Sequence, residues 1–221
     1  MNHCRTDNQS SPRRYLFLLL AALLLPLCSQ AQEDGVIGRV ISTVGTVVAI
    51  DVDDNTRTLL RRSNVLEGDT VVTGADGFVQ IRLLDGAMLS LKEETEYIFK
   101  EFVYDANPAT PDSVVMQMVR GGFRTISGSI GDAENDTYRV ETQFANIGVR
   151  GTNHGGVIEF GSLFTGTYEG GTTVSNQFGS LDTGVGGDFD YAVTTQGQPP
   201  PGLASPAQPV RPVQPDHPEC R

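Results

Sequence analysis

Residues 147–154 (IGVRGTNH) hold the side chains of this sequence that are best suited to bind a ligand. Arg150 and His154 stand between glycines, and a guanidinium near an imidazole could hold an anion or a peptide carboxylate. In the structural alternative, Arg150 hydrogen-bonds carbonyl groups or a carboxylate within the fold, and the glycines allow a tight bend. The residue types favour this structural role. Arg150 and His154 are nevertheless the candidate ligand-binding residues.

Catalytic motifs are absent from the sequence. Only three histidines occur, and there is no Gly-x-Ser-x-Gly elbow, paired-histidine metal motif or Cys-x-x-Cys pair. The glycine-rich run at residues 184–187 lacks the lysine and the helix of a phosphate loop. Asp182 and Asp188 could be pictured as an acid and a base, but loop carboxylates are ordinarily solvated surface groups. The sequence therefore predicts a non-enzyme that needs no metal and no cofactor.

The acidic run at residues 51–55 (DVDDN) superficially resembles a calcium-binding loop. It lacks the glycine at the sixth position and the glutamate at the twelfth, which are Thr56 and Arg62 here. A hairpin tip is the better interpretation. A three-residue loop would pair Val52 with Thr56, Ile50 with Thr58 and Val48 with Leu60.

Residues 71–91 (VVTGADGFVQIRLLDGAMLSL) show the clearest strand pattern, because apolar residues alternate with Gln80 and Arg82. Three-residue loops ending in Gly77 and Gly86 gather the aliphatic residues on one face, whereas a slip of one residue would turn them to the other. We therefore predict a three-stranded meander. Its predicted pairs are Thr73 with Val79, Val71 with Ile81, Leu83 with Ala87, Ile81 with Leu89 and Val79 with Leu91.

Short β-branched and aromatic segments recur along the chain at intervals of roughly ten residues, and no segment has a sustained helical period. Residues 97–104 (YIFKEFVY) should pack in the core, and Gly121-Gly122 should form a turn. The predicted fold is all-β: an antiparallel sandwich or a jelly-roll-like barrel of many short strands. Residues 161–195 are expected to close the same domain, and the proline-rich residues 196–221 to form a disordered tail.

Residues 1–31 have the pattern of a secretory signal peptide. Two arginines precede an apolar run at residues 15–27, and small residues follow up to Ala31, the predicted cleavage site. The apolar run has about half the length that a membrane helix needs. The alternative, lipidation at Cys28, is disfavoured because a leucine precedes that cysteine. The expected location is the periplasm or the exterior, with membrane contact only through the signal peptide or a lipid on Cys28.

The chain is acidic, with 27 Asp and Glu against 16 Lys and Arg and a net charge of −11. Cleavage would remove three arginines and one aspartate, which takes the charge from −11 to −13. Such a surface excludes nucleic acid as a partner, since phosphate contacts need clustered cations. Cleavage would also leave Cys220 as the one cysteine, so the fold must be stable without an internal disulfide.

Four blocks occur in the order found in a known family: a Gly-x-Val at Gly38, then residues 67–95 (EGDTVVTGADGFVQIRLLDGAMLSLKEET), 120–128 (RGGFRTISG) and 140–152 (VETQFANIGVRGT). The chain resembles the FecR domain over about residues 35–160. The resemblance implies a non-catalytic β domain of the cell envelope. The founding type is an inner-membrane regulator that relays a ferric-siderophore signal from an outer-membrane receptor to a sigma factor. This sequence departs from that arrangement, because only fourteen residues precede the apolar run. A free-standing exported FecR-domain protein is therefore expected.

Two function classes remain open at this point. In the first, the domain is a protein-binding or signal-sensing module that recognises an envelope protein, such as a receptor, through an edge strand or the loops near Arg150. In the second, it is a structural or surface-associated component that contacts cell-envelope polysaccharide.

Overall fold

The computed structural model describes residues 35–105, 111–131 and 137–203. Contacts divide the chain after Asp34, and all described residues belong to the second unit. The predicted signal peptide lies outside the described residues.

The described elements are fifteen strands and one 3-10 helical turn (Ser129–Gly131). The strands are β1 (Val36–Val44), β2 (Val47–Ile50), β3 (Thr56–Thr58), β4 (Asn64–Leu66), β5 (Thr70–Thr73), β6 (Phe78–Leu83), β7 (Met88–Leu91), β8 (Glu96–Val103), β9 (Ser113–Ile126), β10 (Thr137–Glu141), β11 (Asn146–Glu159), β12 (Ser162–Asn176), β13 (Gly179–Gly184), β14 (Tyr191–Thr195) and β15 (Gly202–Leu203).

All fifteen strands belong to one sheet, which does not close on itself. Strands β9, β11 and β12 are long, and their two ends pair with different neighbours. Half-sheet 1 has the order β3-β2-β5-β8-β9-β10-β11-β12-β13, and half-sheet 2 has the order β4-β1-β6-β7-β9-β11-β12-β14-β15. Among the strand pairs of the described residues, only β9 and β10 run parallel.

The long strands bend where they pass from one half-sheet to the other. Gly121 in β9, Gly151 in β11 and Gly170 in β12 have φ angles of 84°, 54° and 72°. This left-handed region is accessible to glycine at little cost. The prediction of a turn at Gly121-Gly122 was therefore wrong, because β9 continues through these residues as a bent strand.

The two half-sheets pack against each other around one apolar core. Tyr97 of half-sheet 1 lies against Phe123 of half-sheet 2, with ring centroids 5.6 Å apart. Tyr97 and Phe99 are buried, and Phe102 and Tyr104 pack at the edge of the core. The predicted all-β fold is confirmed. The open, folded sheet makes it a sandwich and excludes a closed barrel.

The predicted meander is half correct. In β6 and β7, Val79 pairs with Leu91 and Ile81 with Leu89, as predicted, and both leucines are buried. The predicted pairing of β5 with β6 was wrong, because β5 pairs with β2 and β8 while β1 occupies that side of β6. The segment between β5 and β6 instead crosses from half-sheet 1 to half-sheet 2, held by a hydrogen bond from Gly74 N to the Thr46 carbonyl.

The β2–β3 hairpin also differs from its predicted register. Ile50 pairs with Thr56, so the loop contains five residues where three were predicted. The Asp51 carboxylate accepts hydrogen bonds from the backbone N–H groups of Asp53 and Asn55, each at 2.9 Å. The hydrogen bonds from Asn55 lower the pKa of Asp51. This side-chain cap favours the longer loop, and the register moves by two residues, which leaves the buried face unchanged.

Strands β12, β13 and β14 extend the same sheet beyond the blocks that resemble FecR. Of the predicted tail, residues 196–203 are described, and β15 within them pairs with β14 at the edge of half-sheet 2. The rest of the tail, including Cys220, lies outside the described residues.

Candidate functional site

Arg150 lies on the outward face of half-sheet 1. Its side chain is 65% exposed, and its Nη2 atom is 3.3 Å from Asp182 Oδ1 on β13. Thr173 of β12 bridges the pair, with its Oγ1 donating to the same carboxylate oxygen at 2.5 Å. Arg150 thus pairs with a carboxylate of the same domain, as in the structural alternative, but the pair lies on the surface and not in the core. An ion pair with this exposure contributes less than about 1 kcal/mol to stability.

His154 lies inside the sandwich. Its Nδ1 atom is 3.1 Å from Thr152 Oγ1, and its ring meets Phe123 and Tyr138 edge to face. Burial lowers the pKa of His154 to about 3, so the imidazole is neutral at physiological pH. Irregular pairing between Arg150 and His154 separates the two side chains. One is outside and the other inside, so they do not form one site.

Other buried polar atoms surround His154. Thr125 lies directly opposite it in the β9–β11 pair, and Tyr138 reaches it from half-sheet 1. The Tyr138 hydroxyl interacts with that of Thr125 and lies near the Asp85 carboxyl, and within the described residues His154 Nε2 has no hydrogen-bond partner. Burial raises the pKa of Asp85 and of Tyr138. These groups are enclosed in the core and cannot meet a macromolecular partner.

The most exposed apolar side chain of the described residues is Phe160, which the sequence patterns did not single out. Phe160 and Gly161 form the two-residue loop of the β11–β12 hairpin, because Glu159 pairs with Ser162. Their φ angles are 50° and 70°, as in a type I′ turn. Such a turn favours Asn-Gly, yet here it presents an aromatic ring that is 89% exposed. The Phe-Gly pair between two apolar runs is the one sequence signal for this tip.

An open, charged cleft of about 350 Å³ adjoins the Phe160 tip. Glu159 lines it and forms an ion pair with Lys92 Nζ at 2.7 Å. On the opposite side, Arg120 donates to the Glu94 carbonyl at 3.1 Å and pairs with Glu96. The cleft holds three carboxylates, and it is lined by Lys92, Glu93, Glu94, Arg120, Gly121, Ile158 and Glu159.

A second cleft of about 290 Å³ lies between the β10–β11 and β12–β13 turns. Among the described residues, none with a charged side chain lines it. Its polar groups are the carboxamides of Gln143, Asn146, Asn176, Gln177 and Gln196, and its aromatic rings are those of Phe144 and Phe178. Carboxamides and aromatic rings suit a neutral polar ligand.

Neither a metal site nor a membrane-spanning helix is found in the part of the chain that the structure describes. No three His, Cys, Asp or Glu side chains of these ranges are grouped to hold an ion. No helix there is long and apolar enough to cross a bilayer. The Phe160 tip and its cleft combine an exposed aromatic ring with a charged cleft, and they are the best candidate for a functional surface.

Comparison with known proteins places this hairpin inside a family match. The family model described as FecR protein matches residues 69–171, which include β5 to β11 and the first part of β12. No curated protein matches the chain. The predicted resemblance covered residues 35–160, so the match begins later and extends further.

Two similar solved structures are crystal structures of a candidate anti-sigma factor from Parabacteroides distasonis ATCC 8503, at 1.65 and 2.50 Å resolution. Sequence identity to them is 16% and 15%, and the TM-scores are 0.48 and 0.47. Each match covers 62% of this chain and 59% of the other chain, less than two thirds of its length. The family match decides the assignment: residues 69–171 of the chain are a FecR domain, which is a signal-transduction module.

Proposed function

We propose that this protein is an exported, non-catalytic module of a bacterial cell envelope that binds another protein through the Phe160 tip. One observation carries the proposal. Phe160 adopts a left-handed backbone conformation, which costs a non-glycine residue about 1–2 kcal/mol, and its ring is left in water. Neither feature benefits the fold. Strained positions cluster at binding sites, and aromatic side chains are enriched among the residues that dominate protein interfaces.

The charges around Phe160 favour a protein over a membrane as the partner. Three carboxylates, those of Glu93, Glu94 and Glu159, line the cleft beside the ring and outnumber its two cations, Lys92 and Arg120. Anionic lipid headgroups would repel these carboxylates. A protein pocket that accepts the ring and carries basic groups at its rim would complement them.

Replacing Phe160 with asparagine should stabilise the fold and remove the binding. Asparagine is preferred at this turn position, so the free energy of unfolding should rise by about 1 kcal/mol. Denaturant unfolding measures that gain. Affinity capture from envelope extract should recover the partner with the wild-type chain and lose it with Phe160→Asn.

The matched control is Val52→Asn. Val52 is also an exposed apolar residue at a hairpin tip, with 78% of its surface exposed, but it is far from Phe160 in the sheet order. This variant should retain the partner. Equal capture by wild type and Phe160→Asn would contradict the proposal.

Export is the second part of the proposal, and it is supported by the signal-peptide pattern of residues 1–31. When the full chain is expressed in a bacterium with a secretion system, the mature protein should begin at Gln32. Intact-mass measurement of the periplasmic or secreted fraction tests this. A chain that retains residues 1–31, or that begins at a lipidated Cys28, would contradict it.

A structural role in contact with polysaccharide is the alternative, and the carboxamide-lined cleft favours it. Amide groups hydrogen-bond sugar hydroxyls, and Phe178 is half exposed at the cleft, where its ring could stack on a sugar. A glycan array with wild type and Phe178→Ala distinguishes this function. Glycan binding that disappears in Phe178→Ala, while Phe160→Asn binds normally, would support the alternative.

A further inference from the structure

A row of side chains crosses the outward face of half-sheet 2. Arg39 of β1 pairs with Arg82 of β6, Arg82 with Met88 of β7, and Met88 with Ile126 of β9. Because paired residues on neighbouring strands share a face, these four side chains form one continuous strip. The strip places two cationic groups next to two apolar ones.

The two arginines face each other without compensation. Directly opposed residues have Cβ atoms only about 5 Å apart, and like charges at that spacing destabilise a sheet. Both side chains are exposed. Within the described residues neither guanidinium forms an ion pair. The cations that do form ion pairs are Arg57, Lys92, Lys100, Arg120, Arg139 and Arg150.

Two more arginines reach the same corner of the sheet. The turn between β3 and β4 contains Arg61 and Arg62, both exposed, and Arg62 N donates to the Val40 carbonyl of β1 at 2.8 Å. In the described ranges these two side chains also form no ion pair. Four uncompensated arginines thus lie around β1 in a chain with a net charge of −11. We name Arg39, Arg61, Arg62 and Arg82 the arginine cluster.

Exposed apolar side chains adjoin the arginine cluster. Ile41 follows Arg39 on the outward side of β1, and Leu84, which is 56% exposed, follows Arg82. Ile126 is 51% exposed at the end of the row. The surface therefore offers guanidinium groups and aliphatic groups side by side.

We infer that the arginine cluster and its apolar neighbours bind an acidic segment of a partner protein, in which carboxylates stand beside apolar side chains. The guanidinium fork matches a carboxylate and forms two charge-assisted hydrogen bonds with it. Isoleucine, leucine and methionine would bury aliphatic side chains of the segment, which an acidic polysaccharide does not have. The surplus positive charge would draw such a segment from solution, and the repulsion between Arg39 and Arg82 would be relieved on binding.

This inference rests on the proposed function only in that the partner is a protein, since the surface is a different one. Ile126, the last residue of the strip, pairs with Asn153 of β11. Gly121, at the other end of the part of β9 that pairs with β11, pairs with Ile158 beside the Phe160 hairpin. The two surfaces therefore lie toward opposite ends of the paired strands β9 and β11. Substitutions can address each of them separately.

The test uses the mature chain and a fluorescein-labelled peptide of repeated Glu-Glu-Leu units, with a Gln-Gln-Leu peptide as its uncharged counterpart. Fluorescence anisotropy should show binding of the glutamate peptide alone, weakened by added salt. Arg82→Glu should reduce the affinity by about tenfold or more, because it removes one charge-assisted contact and adds a repulsive carboxylate. The double variant Lys100→Gln/Arg139→Gln loses two exposed cations of half-sheet 1, away from the arginine cluster and the Phe160 cleft, and should bind like wild type.

Loss of binding in Arg82→Glu cannot be attributed to unfolding, because glutamate opposite Arg39 makes an attractive pair. Its melting temperature should equal or exceed that of wild type. The inference is overturned if Arg82→Glu binds as wild type does or if the glutamate peptide does not bind. It is also overturned if alginate or phosphatidylglycerol vesicles displace the peptide and bind as tightly as it does. Phe160→Asn should bind the peptide normally, so peptide binding without any partner at Phe160 would overturn only the proposed function.

Discussion

Replacing Gly170 with alanine should lower the free energy of unfolding by about 4 kcal/mol, a large part of the roughly 5–15 kcal/mol that is typical of a folded domain. Gly170 has φ 72°, and a Cβ atom there would lie 1.9 Å from the Gly151 carbonyl oxygen. That oxygen belongs to the backbone of β11 at its own bend, so it cannot move unless the β11–β12 pairing opens. The left-handed conformation adds about 1–2 kcal/mol for any residue with a side chain.

Gly148→Ala is the matched control for this prediction, and denaturant unfolding measures both variants. Gly148 lies in β11 without a left-handed φ angle, and its added Cβ would be 3.7 Å from the nearest heavy atom, the Thr173 carbonyl oxygen. Alanine there should change stability by less than about 1 kcal/mol, and could stabilise the strand. Similar losses in the two variants would show that the bends do not require glycine.

Acid should destabilise the protein through His154 as well as through its carboxylates. The pKa of this imidazole is about 3 in the folded state, against 6.5 for an unperturbed histidine. Between these values the unfolded chain binds one more proton than the folded chain. The contribution of His154 to the free energy of unfolding is therefore fully present above pH 6.5 and is lost progressively as the pH falls. The loss from this single group should be about 1.4 kcal/mol per pH unit.

His154→Leu isolates that contribution, because every other titrating group is common to both proteins. Between pH 6 and 4.5, the slope of the unfolding free energy against pH should be smaller in the variant by about 1.4 kcal/mol per pH unit, which corresponds to one proton. Burial raises the pKa of Asp85, which gives a slope of the opposite sign, but that slope cancels in the comparison. Equal slopes, or an imidazole that titrates near pH 6.5 by NMR, would contradict the buried position of His154.

The alternation of apolar and polar residues predicted the register of the β6–β7 hairpin correctly. It did not predict which strands are neighbours in the sheet. The β6–β7 register followed from alternation, since only one loop length buries Leu89 and Leu91 together. The same alternation in β5 shows which residues face inward, but it cannot show that β6 pairs with β1 and that β5 pairs with β2 and β8. The β2–β3 register depended on hydrogen bonds from the loop to Asp51, which alternation does not reveal.

The functional surfaces were harder to predict for a geometric reason. Arg150 and His154 are close in sequence, but the bend at Gly151 and the irregular pairing after it place them on opposite faces. The exposure of Phe160 depends on the turn type, and a Phe-Gly pair is not the usual signal for a type I′ turn. The opposition of Arg39 and Arg82 depends on the register between β1 and β6, which are separated by four other strands in sequence.

Photocrosslinking at position 160 in intact cells tests the protein-binding function most directly. A photoreactive phenylalanine analogue at position 160 should form an adduct with one envelope protein, because the ring is inserted into that partner. The same analogue at position 52, the other exposed hairpin tip, should form none. The absence of an adduct at position 160, or the same adducts at both positions, would contradict the proposed protein-binding function.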